Sequence, residues 1–352
     1  TVFKEGTSEE MKASIYQWKS ELTVRDILMH QAGFDPDPQY HNDQFNQVTQ
    51  LPEAGTKNPL FSQNRDTTRE KVLASPLTYQ PGTKTVYSDV DYMLLCFLIE
   101  QVTGQGLDQF LKEKFWDPMG LTHITYNPLK NGFDVEDCAA TELDGNHRTD
   151  IAGNGRAINF ANCRDGVVQG TVHDEKAYYA MGGVSGHAGL FANAEDLAKL
   201  CSLMLTGGYE DNLYFTGAVI DEFTKPKSAE YPTWGLGWWR QGDVGRRSYF
   251  TTYASPDTIG HQGWTGTLTA IDPEENLVVV VLTNKKNSPI MDNTESANDF
   301  FSDNMVLGGL GSAVGFVYDS FHSSVEAVDG KVAQMAYNRA LMINNAHKGT
   351  YD

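Results

Sequence analysis

The clearest hydrophobic pattern in the chain is the apolar, β-branched run Leu277–Leu282, which follows an alternating stretch after Gly266. These patterns predict two neighbouring strands, the second of them buried, joined by a polar turn over 272–276. The glycine-rich segment Gly260–Thr267, which contains His261, leads into the first strand. We expect a strand edge open enough to hold a substrate backbone or an oxyanion. An ordinary hairpin whose glycines mark bulges is the alternative.

Helical periodicity dominates the earlier part of the chain. Thr23 and Asp26 form a capping box, and Asn193 is an N-cap residue, so both predict helix starts. The run from Tyr92 to Glu100 is almost entirely apolar, which predicts a helix buried on nearly all sides. The predicted helices are 23–33, 67–74, 92–100, 107–116, 193–207 and 325–344, and a further strand is predicted at 234–240.

Two stretches lack such periodicity. Residues 34–64 are rich in Asp, Asn, Gln and Pro and predict a long loop, which in a compact domain tends to be functional or mobile. Residues 125–180 predict irregular surface structure. The fold class is therefore α+β, with a mainly helical domain over 1–225 and an antiparallel sheet with a C-terminal helix over 230–352.

Composition narrows the range of functions. The 352 residues are 40% apolar, which suffices for a sizeable core, and no apolar run is long enough to span a membrane. The net charge of −19 disfavours nucleic acid as a partner, because phosphate binding needs a basic surface. No metal-ligand spacing such as HExxH occurs, and we expect no metal or other cofactor. Residues 1–6 resemble neither a signal peptide nor a natural start, so we expect a trimmed chain.

Cysteine usage indicates no metal site, because no CxxC occurs. Cys96 and Cys201 lie in apolar helical patterns and are predicted to be buried thiols. Cys138 and Cys163 lie in loop-like sequence, where pairing is open.

Three segments carry candidate chemistry: Tyr87-Ser88-Asp89, Gly186–Gly189 around His187, and His261. A Tyr and an Asp at a helix N-terminus lie in the positive end of the helix dipole, which would help the Tyr act as a base. A half-buried core phenol is the ordinary alternative for Tyr87, and a hydrogen-bonded loop histidine is the alternative for His187.

Four segments in this order resemble the serine β-lactamase and penicillin-binding-protein superfamily over about residues 20–290: Leu22–Gly33, Tyr87–Tyr92, Gly183–Phe191 and Gly260–Thr267. The segment Val172–Tyr178, taken with Tyr87–Tyr92, resembles the penicillin-binding protein 4B branch more closely. The resemblance implies an antiparallel sheet flanked by helices plus a helical domain, with the active site in the groove between them.

The resemblance also implies roles for individual residues. Tyr87 would be the proton shuttle, and Asp89 would occupy the Asn position of a Tyr-x-Asn element. Ser88 and His187 would contact the substrate. An ionised Asp is an acceptor only, whereas Asn also donates, so the substrate preference of the family need not carry over.

The second element that the resemblance assigns is Lys-Thr-Gly, which corresponds to His261-Gln262-Gly263. His261 then replaces the Lys, which makes the positive charge dependent on pH. Gln262 and Gly263 would bind the substrate, and the Trp264 amide would be an oxyanion donor.

The family's nucleophile is the Ser of a Ser-x-x-Lys helix that precedes the Leu22–Gly33 motif. No Ser in this sequence is followed three residues later by Lys. Thr68–Lys71 has the same spacing, with Thr in place of Ser, but it follows the Leu22–Gly33 motif. We interpret it as part of a surface helix. We expect the first strands and the nucleophile helix of the fold to lie outside this chain, which alone would be inactive.

The hypothesis is then a serine acyl hydrolase of the D,D-carboxypeptidase or esterase type, acting outside the cytoplasmic membrane on peptidoglycan-type peptides, β-lactams or related esters. A non-catalytic module that binds such peptides or a partner protein is the alternative. A third option is a self-contained enzyme that uses Ser185 with His187 or His261.

Overall fold

The computed structural model describes residues 1–145, 160–243, 246–291, 300 and 309–326. It divides into two compact units, unit 1 (Thr1–Ala192 with Ile290–Asp299) and unit 2 (Asn193–Pro289 with Phe300–Asp352). The α-helices are α1 (Glu9–Glu21), α2 (Val24–Leu28), α3 (Arg65–Ala74), α4 (Asp89–Thr103), α5 (Leu107–Leu111), α6 (Ala194–Thr206), α7 (Gly217–Thr224), α8 (Arg247–Phe250) and α9 (Leu310–Glu326). Helical turns of the π type span Lys112–Trp116 and Lys176–Ala180, and 3₁₀ turns span Pro128–Lys130 and Val135–Asp137.

The strands are β1 (Phe45–Asn46), β2 (Leu51–Pro52), β3 (Ile124–Tyr126), β4 (Ala140–Glu142), β5 (Val168–Gln169), β6 (Leu190–Ala192), β7 (Gly208–Tyr209), β8 (Asn212–Leu213), β9 (Trp239–Arg240), β10 (Ile259–Gly263), β11 (Thr267–Asp272) and β12 (Leu277–Leu282). The longest described strands, β10 to β12, lie in unit 2, and the others are two or three residues long. In unit 1 the strands form three two-stranded antiparallel pairs, β1–β2, β3–β6 and β4–β5.

The capping box before α2 forms as predicted: the Asp26 amide donates to Thr23 Oγ1 at 3.2 Å, and the Thr23 amide donates to Asp26 Oδ2 at 2.9 Å. The helix ends at Leu28, earlier than predicted, because the chain turns at His30, whose φ is 54°. A second turn follows at Gly33, where φ is 98° and a Cβ would lie 2.4 Å from the Tyr79 carbonyl oxygen. Only glycine fits there.

Helix α4 is the apolar helix expected from the sequence, and it ends at Gly104 in the left-handed conformation (φ 70°). Its buried residues include Val90, Met93 and Phe97. Within the predicted run 92–100 the burial is incomplete, because Leu98 is 37% exposed. The predicted loop over 34–64 is irregular apart from the β1–β2 hairpin.

Unit 2 is built on a four-stranded antiparallel sheet in the order β12-β11-β10-β9. Alternate residues of β11 face opposite sides: Leu268 packs with Phe250 and Tyr318 of α8 and α9, and Ile271 packs with Cys201 of α6. Both faces are therefore covered by helices. The two strands predicted on either side of 272–276 are β11 and β12, and Gly260–Thr267 forms β10 and its turn into β11, the hairpin given as the alternative.

Two strand predictions need correction. Strand β12 lies at an end of the described sheet and is mostly half-buried, so it is not the buried neighbour expected. Within 234–240, pairing is limited to β9 and a bridge between Trp234 and Trp239, because the chain makes a tight turn through Gly237 (φ 83°). The predicted helix 325–344 lies almost wholly outside the described residues, which reach Glu326 at the end of α9.

The boundary between the units lies after residue 192, whereas the sequence pattern places it at 225–230. The difference arises because α6 packs its apolar face on the sheet. All four cysteines are free thiols, and Cys96 and Cys201 are buried as predicted. Among the described residues, no helix combines the length and the apolar character needed to cross a bilayer.

Candidate active site

The segment Tyr87-Ser88-Asp89 forms the turn into α4. Tyr87 is 44% exposed, whereas Ser88 is buried and its Oγ donates to the Asp35 carbonyl at 2.6 Å. The Ser88 hydroxyl thus fixes the turn to the preceding loop, which is a structural use of a residue predicted to contact substrate. Asp89 is the first residue of α4, at the positive end of the helix dipole.

A buried lysine ties this turn to two other segments of unit 1. Lys176 Nζ lies 3.0 Å from Asp89 Oδ2 and 3.8 Å from Asp174 Oδ2, and it also donates to Asp37. The Lys176 side chain is 5% exposed, and Asp37 comes from the predicted polar loop. One ammonium group therefore gathers three carboxylates that lie far apart in sequence.

His187 extends this cluster through Asp174. His187 Nε2 lies 2.9 Å from Asp174 Oδ1, and His187 Nδ1 lies 2.7 Å from Ser185 Oγ. The pair of Ser185 and His187 considered from the sequence is thus present geometrically, and Asp174 extends it to a serine–histidine–aspartate arrangement. Ser185 is nevertheless 1% exposed, so its hydroxyl is enclosed by the fold and a nucleophilic role is disfavoured.

The charges in the cluster stabilise one another. Burial alone would lower the pKa of Lys176, but Asp174, Asp37 and Asp89 outweigh it and hold that pKa well above its ordinary value. Burial would likewise raise the pKa of Asp174, but Lys176 and His187 hold it well below its usual range. Burial lowers the pKa of His187, and the charges of Asp174 and Asp89 reverse this to a net rise. All three shifts favour the charged forms of Lys176, Asp174 and His187.

The environment of Tyr87 acts in the opposite sense to the base role predicted for it. Partial burial, followed by the charges of Asp89 and Asp174, raises the pKa of Tyr87, against an opposing effect of Lys176. Because so much of Tyr87 is exposed, solvent screens part of this effect. The groups described around Tyr87 therefore favour its protonated phenol. A role as base would need a further cation near the phenol oxygen.

The same cluster contains three residues of types that can ligate a metal ion. Ligand atoms of Asp89, Asp174 and His187 all lie within 4.8 Å of one another. The Lys176 ammonium already lies beside two of these residues and supplies the positive charge there. We therefore assign no metal to these three residues.

The remaining predicted site residues belong to the β10–β11 hairpin of unit 2. His261 Nδ1 lies 2.7 Å from the Gln262 carbonyl oxygen, and its ring packs on Trp239 at 4.5 Å between centroids. Since a carbonyl only accepts, Nδ1 carries the hydrogen, which makes Nε2 the acceptor of the neutral ring. The space beside Gly260 is filled by Thr269 and Phe250, so this glycine serves packing within the unit.

Gln262 and Gly263 continue β10 and are half-buried, and Trp264 is 50% exposed at the turn. Lys286 Nζ lies 4.1 Å from the centre of the Trp264 ring, a cation–π contact that steadies the turn. The hairpin thus presents an aromatic side chain and one titratable group.

The structure brings Asp89 and His187 together through Asp174 and Lys176. Sequence reasoning missed Lys176, Asp174 and Asp37 as members of a site. The signal available was an acid–acid–lysine run, Asp174 to Lys176, within an otherwise weakly patterned stretch.

Comparison with known proteins gives the family of the chain. The sequence profile of the family described as Beta-lactamase matches residues 14–300. A protein of Escherichia coli strain K12, provisionally named D-alanyl-D-alanine carboxypeptidase, is 45% identical over 301 residues, which cover 85% of this chain and 65% of the relative. A Salmonella typhi protein with the same provisional name is 41% identical over an alignment that covers 90% of this chain and 69% of the Salmonella protein.

Among solved structures, a penicillin-binding protein homologue from Caulobacter crescentus aligns with a TM-score of 0.49 at 20% identity, covering 82% of this chain and 73% of that one. The fold is of the β-lactamase and transpeptidase type, with helices and antiparallel sheets. The chain belongs to the Beta-lactamase family. It spans 65% of the length of the Escherichia coli relative.

Proposed function

We propose that this chain is part of a serine acyl hydrolase of the D,D-carboxypeptidase or esterase type. The carrying observation is the Lys176 cluster, which anchors the turn of Tyr87 and Asp89 in a chain of the Beta-lactamase family. Two relatives provisionally named D-alanyl-D-alanine carboxypeptidase support the peptide substrate class. The substrate would be a peptidoglycan-type peptide, a β-lactam or a related ester, and the site of action would be outside the cytoplasmic membrane.

In this proposal the nucleophile is the Ser of a Ser-x-x-Lys motif outside the printed sequence, as the family resemblance implies. Tyr87 and the Lys of that motif move the proton between nucleophile and leaving group. A lysine near the phenol oxygen would lower the pKa of Tyr87 and offset the effect of Asp89. Asp89, held beside Lys176, accepts hydrogen bonds from the substrate, and His261 and the Trp264 amide hold the carboxylate or the oxyanion.

Fluorescent penicillin tests the proposal on the product of the complete gene. Tyr87→Phe removes the hydroxyl that moves the proton, and general acid–base catalysis contributes about a hundredfold or more. We expect acylation to slow by at least that factor. Tyr16→Phe is the matched control, because Tyr16 is 55% exposed on α1 and has no role in the proposal.

Acylation of Tyr87→Phe at the rate of the unsubstituted protein would refute the role of Tyr87. Labelling of the printed chain alone would refute a nucleophile outside it, and Ser185→Ala would then test the buried relay.

A binding module is the second candidate. It is favoured by Asp89, which offers acceptors only where the family element has an amide. A D-alanyl-D-alanine peptide that binds the complete gene product without ever being hydrolysed, and a β-lactam that leaves no covalent adduct, would establish this alternative.

A further inference from the structure

Behind the Tyr87 turn lies a second buried histidine, His30, from the Leu22–Gly33 motif. His30 is 1% exposed, and its ring packs on Tyr87 and Tyr92 with centroid distances of 4.5 and 5.1 Å. Its carbonyl accepts the Val86 amide at 2.8 Å. His30 thus contacts the turn through both its ring and its backbone.

The decisive atom is Nδ1 of His30, which has two partners. The Ser88 amide donates to it at 3.2 Å, and Asp91 Oδ2 lies 2.8 Å from it. An amide can only donate, so Nδ1 presents a lone pair and the ring carries its hydrogen on Nε2. If Asp91 were ionised, its Oδ2 and His30 Nδ1 would be two acceptors in contact with no hydrogen between them. The hydrogen bond therefore needs the proton on Asp91.

The surroundings of Asp91 agree. Asp91 is 1% exposed in the first turn of α4, and its Oδ1 has no hydrogen-bond partner among the described residues. A buried carboxylate with an unsatisfied oxygen is costly, whereas a neutral acid is much less so. Burial and then the charge of Asp89 raise the pKa of Asp91 to about 8, and burial lowers the pKa of His30 to about 4 against the opposing effect of Asp89.

We infer that Asp91 is a neutral carboxylic acid that donates its proton to His30 Nδ1, and that this pair positions the Tyr87-Ser88-Asp89 turn by accepting the Ser88 amide. The pair is a positioning device behind the exposed phenol. This inference about Asp91 and His30 rests on the proposed function only in the importance that it gives to Tyr87.

Among the described residues, the ionisable groups that contact or act on the pair come from α4 and from the Tyr87 turn. Asp89 and Tyr92 share α4 with Asp91, and Tyr87 lies on the turn. Helix α2 contributes the Leu28 carbonyl, which accepts the Tyr92 hydroxyl at 3.4 Å. On α3, Arg65 is engaged by Glu100 at 2.6 Å.

Loss of the Asp91 proton has a structural consequence. The remaining ring hydrogen would move from Nε2 to Nδ1 to face the carboxylate, and Nδ1 could then no longer accept the Ser88 amide. The turn would lose its anchor at high pH.

Proton linkage gives the pH range. The raised pKa of Asp91 adds stability that is complete below its unfolded value near 3.8 and is lost as the pH rises through about 8. The lowered pKa of His30 acts oppositely between about 4 and 6.5, so the two cancel there. Because the pair shares one proton, this balance belongs to the pair and does not by itself locate the proton. Net loss of stability is expected between about pH 6.5 and 8.

Two substitutions of Asp91 locate the proton. Asp91→Asn supplies a permanent N–H donor to Nδ1, so it should retain the urea midpoint at pH 7 and lose the decline between pH 6.5 and 8. Asp91→Leu supplies no donor and should lower the midpoint. In hydrogen exchange, the Ser88 amide should stay protected in Asp91→Asn and exchange at least tenfold faster in Asp91→Leu.

The matched control is Asp196→Asn, because Asp196 is also the third residue of its helix and is 4% exposed, but lies 3.8 Å from Lys199. It should lower the midpoint, since an ionised carboxylate is lost from a helix N-terminus. An Asp91→Asn protein as destabilised as Asp91→Leu, with a rapidly exchanging Ser88 amide, would show an ionised Asp91 and overturn the inference. None of these measurements uses catalysis, so failure of the acyl-transfer proposal would leave them unaffected.

Discussion

Two histidines of unit 1 are paired with aspartates in nearly the same way, yet they are expected to carry different charges. His187 lies 2.9 Å from Asp174, and His30 lies 2.8 Å from Asp91. In the first pair the pKa of the acid is lowered and that of the histidine raised. In the second pair the pKa of Asp91 rises to about 8 and that of His30 falls to about 4.

The difference comes from one neighbour. Lys176 adjoins Asp174, whereas the charge that acts on Asp91 is the negative one of Asp89. Burial penalises every charge, and in the first pair Lys176, with the hydrogen bonds that Asp174 accepts, offsets that cost. A contact distance alone therefore does not reveal the protonation state of such a pair.

The largest effect is expected from removing that cation. Lys176→Met leaves Asp89 and Asp174 without their buried counterion and should lower the free energy of unfolding by about 3 kcal/mol. Urea denaturation at pH 7 measures the loss. Lys199→Met is the control, because its pair with Glu195 is exposed to solvent and contributes little to stability. Equal effects in the two variants would mean that Lys176 does not hold the cluster.

The same substitution should destabilise the protein much more at Asp174 than at Asp91. Asp174→Asn removes a charge that Lys176 and His187 need, and should cost about 2 kcal/mol. Asp91→Asn should cost well under about 1 kcal/mol, since it replaces one neutral donor by another. Chemical denaturation of both proteins at pH 7 makes the comparison, and a reversed order would contradict the assigned charges.

Ser185→Ala tests the hydroxyl that adjoins His187. The variant leaves His187 Nδ1 without its partner and should lose about 1–2 kcal/mol of stability. Penicillin acylation of the complete gene product should persist, because the hydroxyl is enclosed. Stability by urea titration and labelling by fluorescence separate the two results, and abolished labelling in a folded protein would restore Ser185 as a nucleophile.

The change of stability with pH should be smaller than the effects of these substitutions. Both histidine–aspartate pairs should contribute to it. The raised pKa of His187 gives stability that is complete below about 6.5 and is lost as the pH rises through its higher folded value. The lowered pKa of Asp174 gives stability that is present above about 3.9 and is lost as the pH falls through its lower folded value. Thermal unfolding of His187→Gln should show a shallower alkaline decline, and His187→Gln combined with Asp91→Asn should show the shallowest. An unchanged slope in both would contradict the linkage.

Local signals in the sequence explain what could be predicted. The capping box of Thr23 and Asp26 and the N-cap at Asn193 act within a few residues, and both appear. The β10–β11–β12 hairpins follow from alternation and turn residues in the same way.

The cluster could not be read from the sequence, because its contacts are distant along the chain. Asp37 and Lys176 are separated by 139 positions, and neither stands out in its own segment. The assignment of Ser88 to substrate contact followed from its place between Tyr87 and Asp89. Its buried hydrogen bond to Asp35 depends on a loop whose path no periodicity indicates.

The most direct measurement of the central comparison is the ¹³C chemical shift of the side-chain carboxyls during a pH titration, with Asp91→Asn and Asp174→Asn used to assign the two signals. The account predicts that at pH 6 Asp174 gives the shift of a carboxylate and Asp91 that of a carboxylic acid, which titrates near pH 8. A carboxylate shift for Asp91 at pH 6 would contradict it.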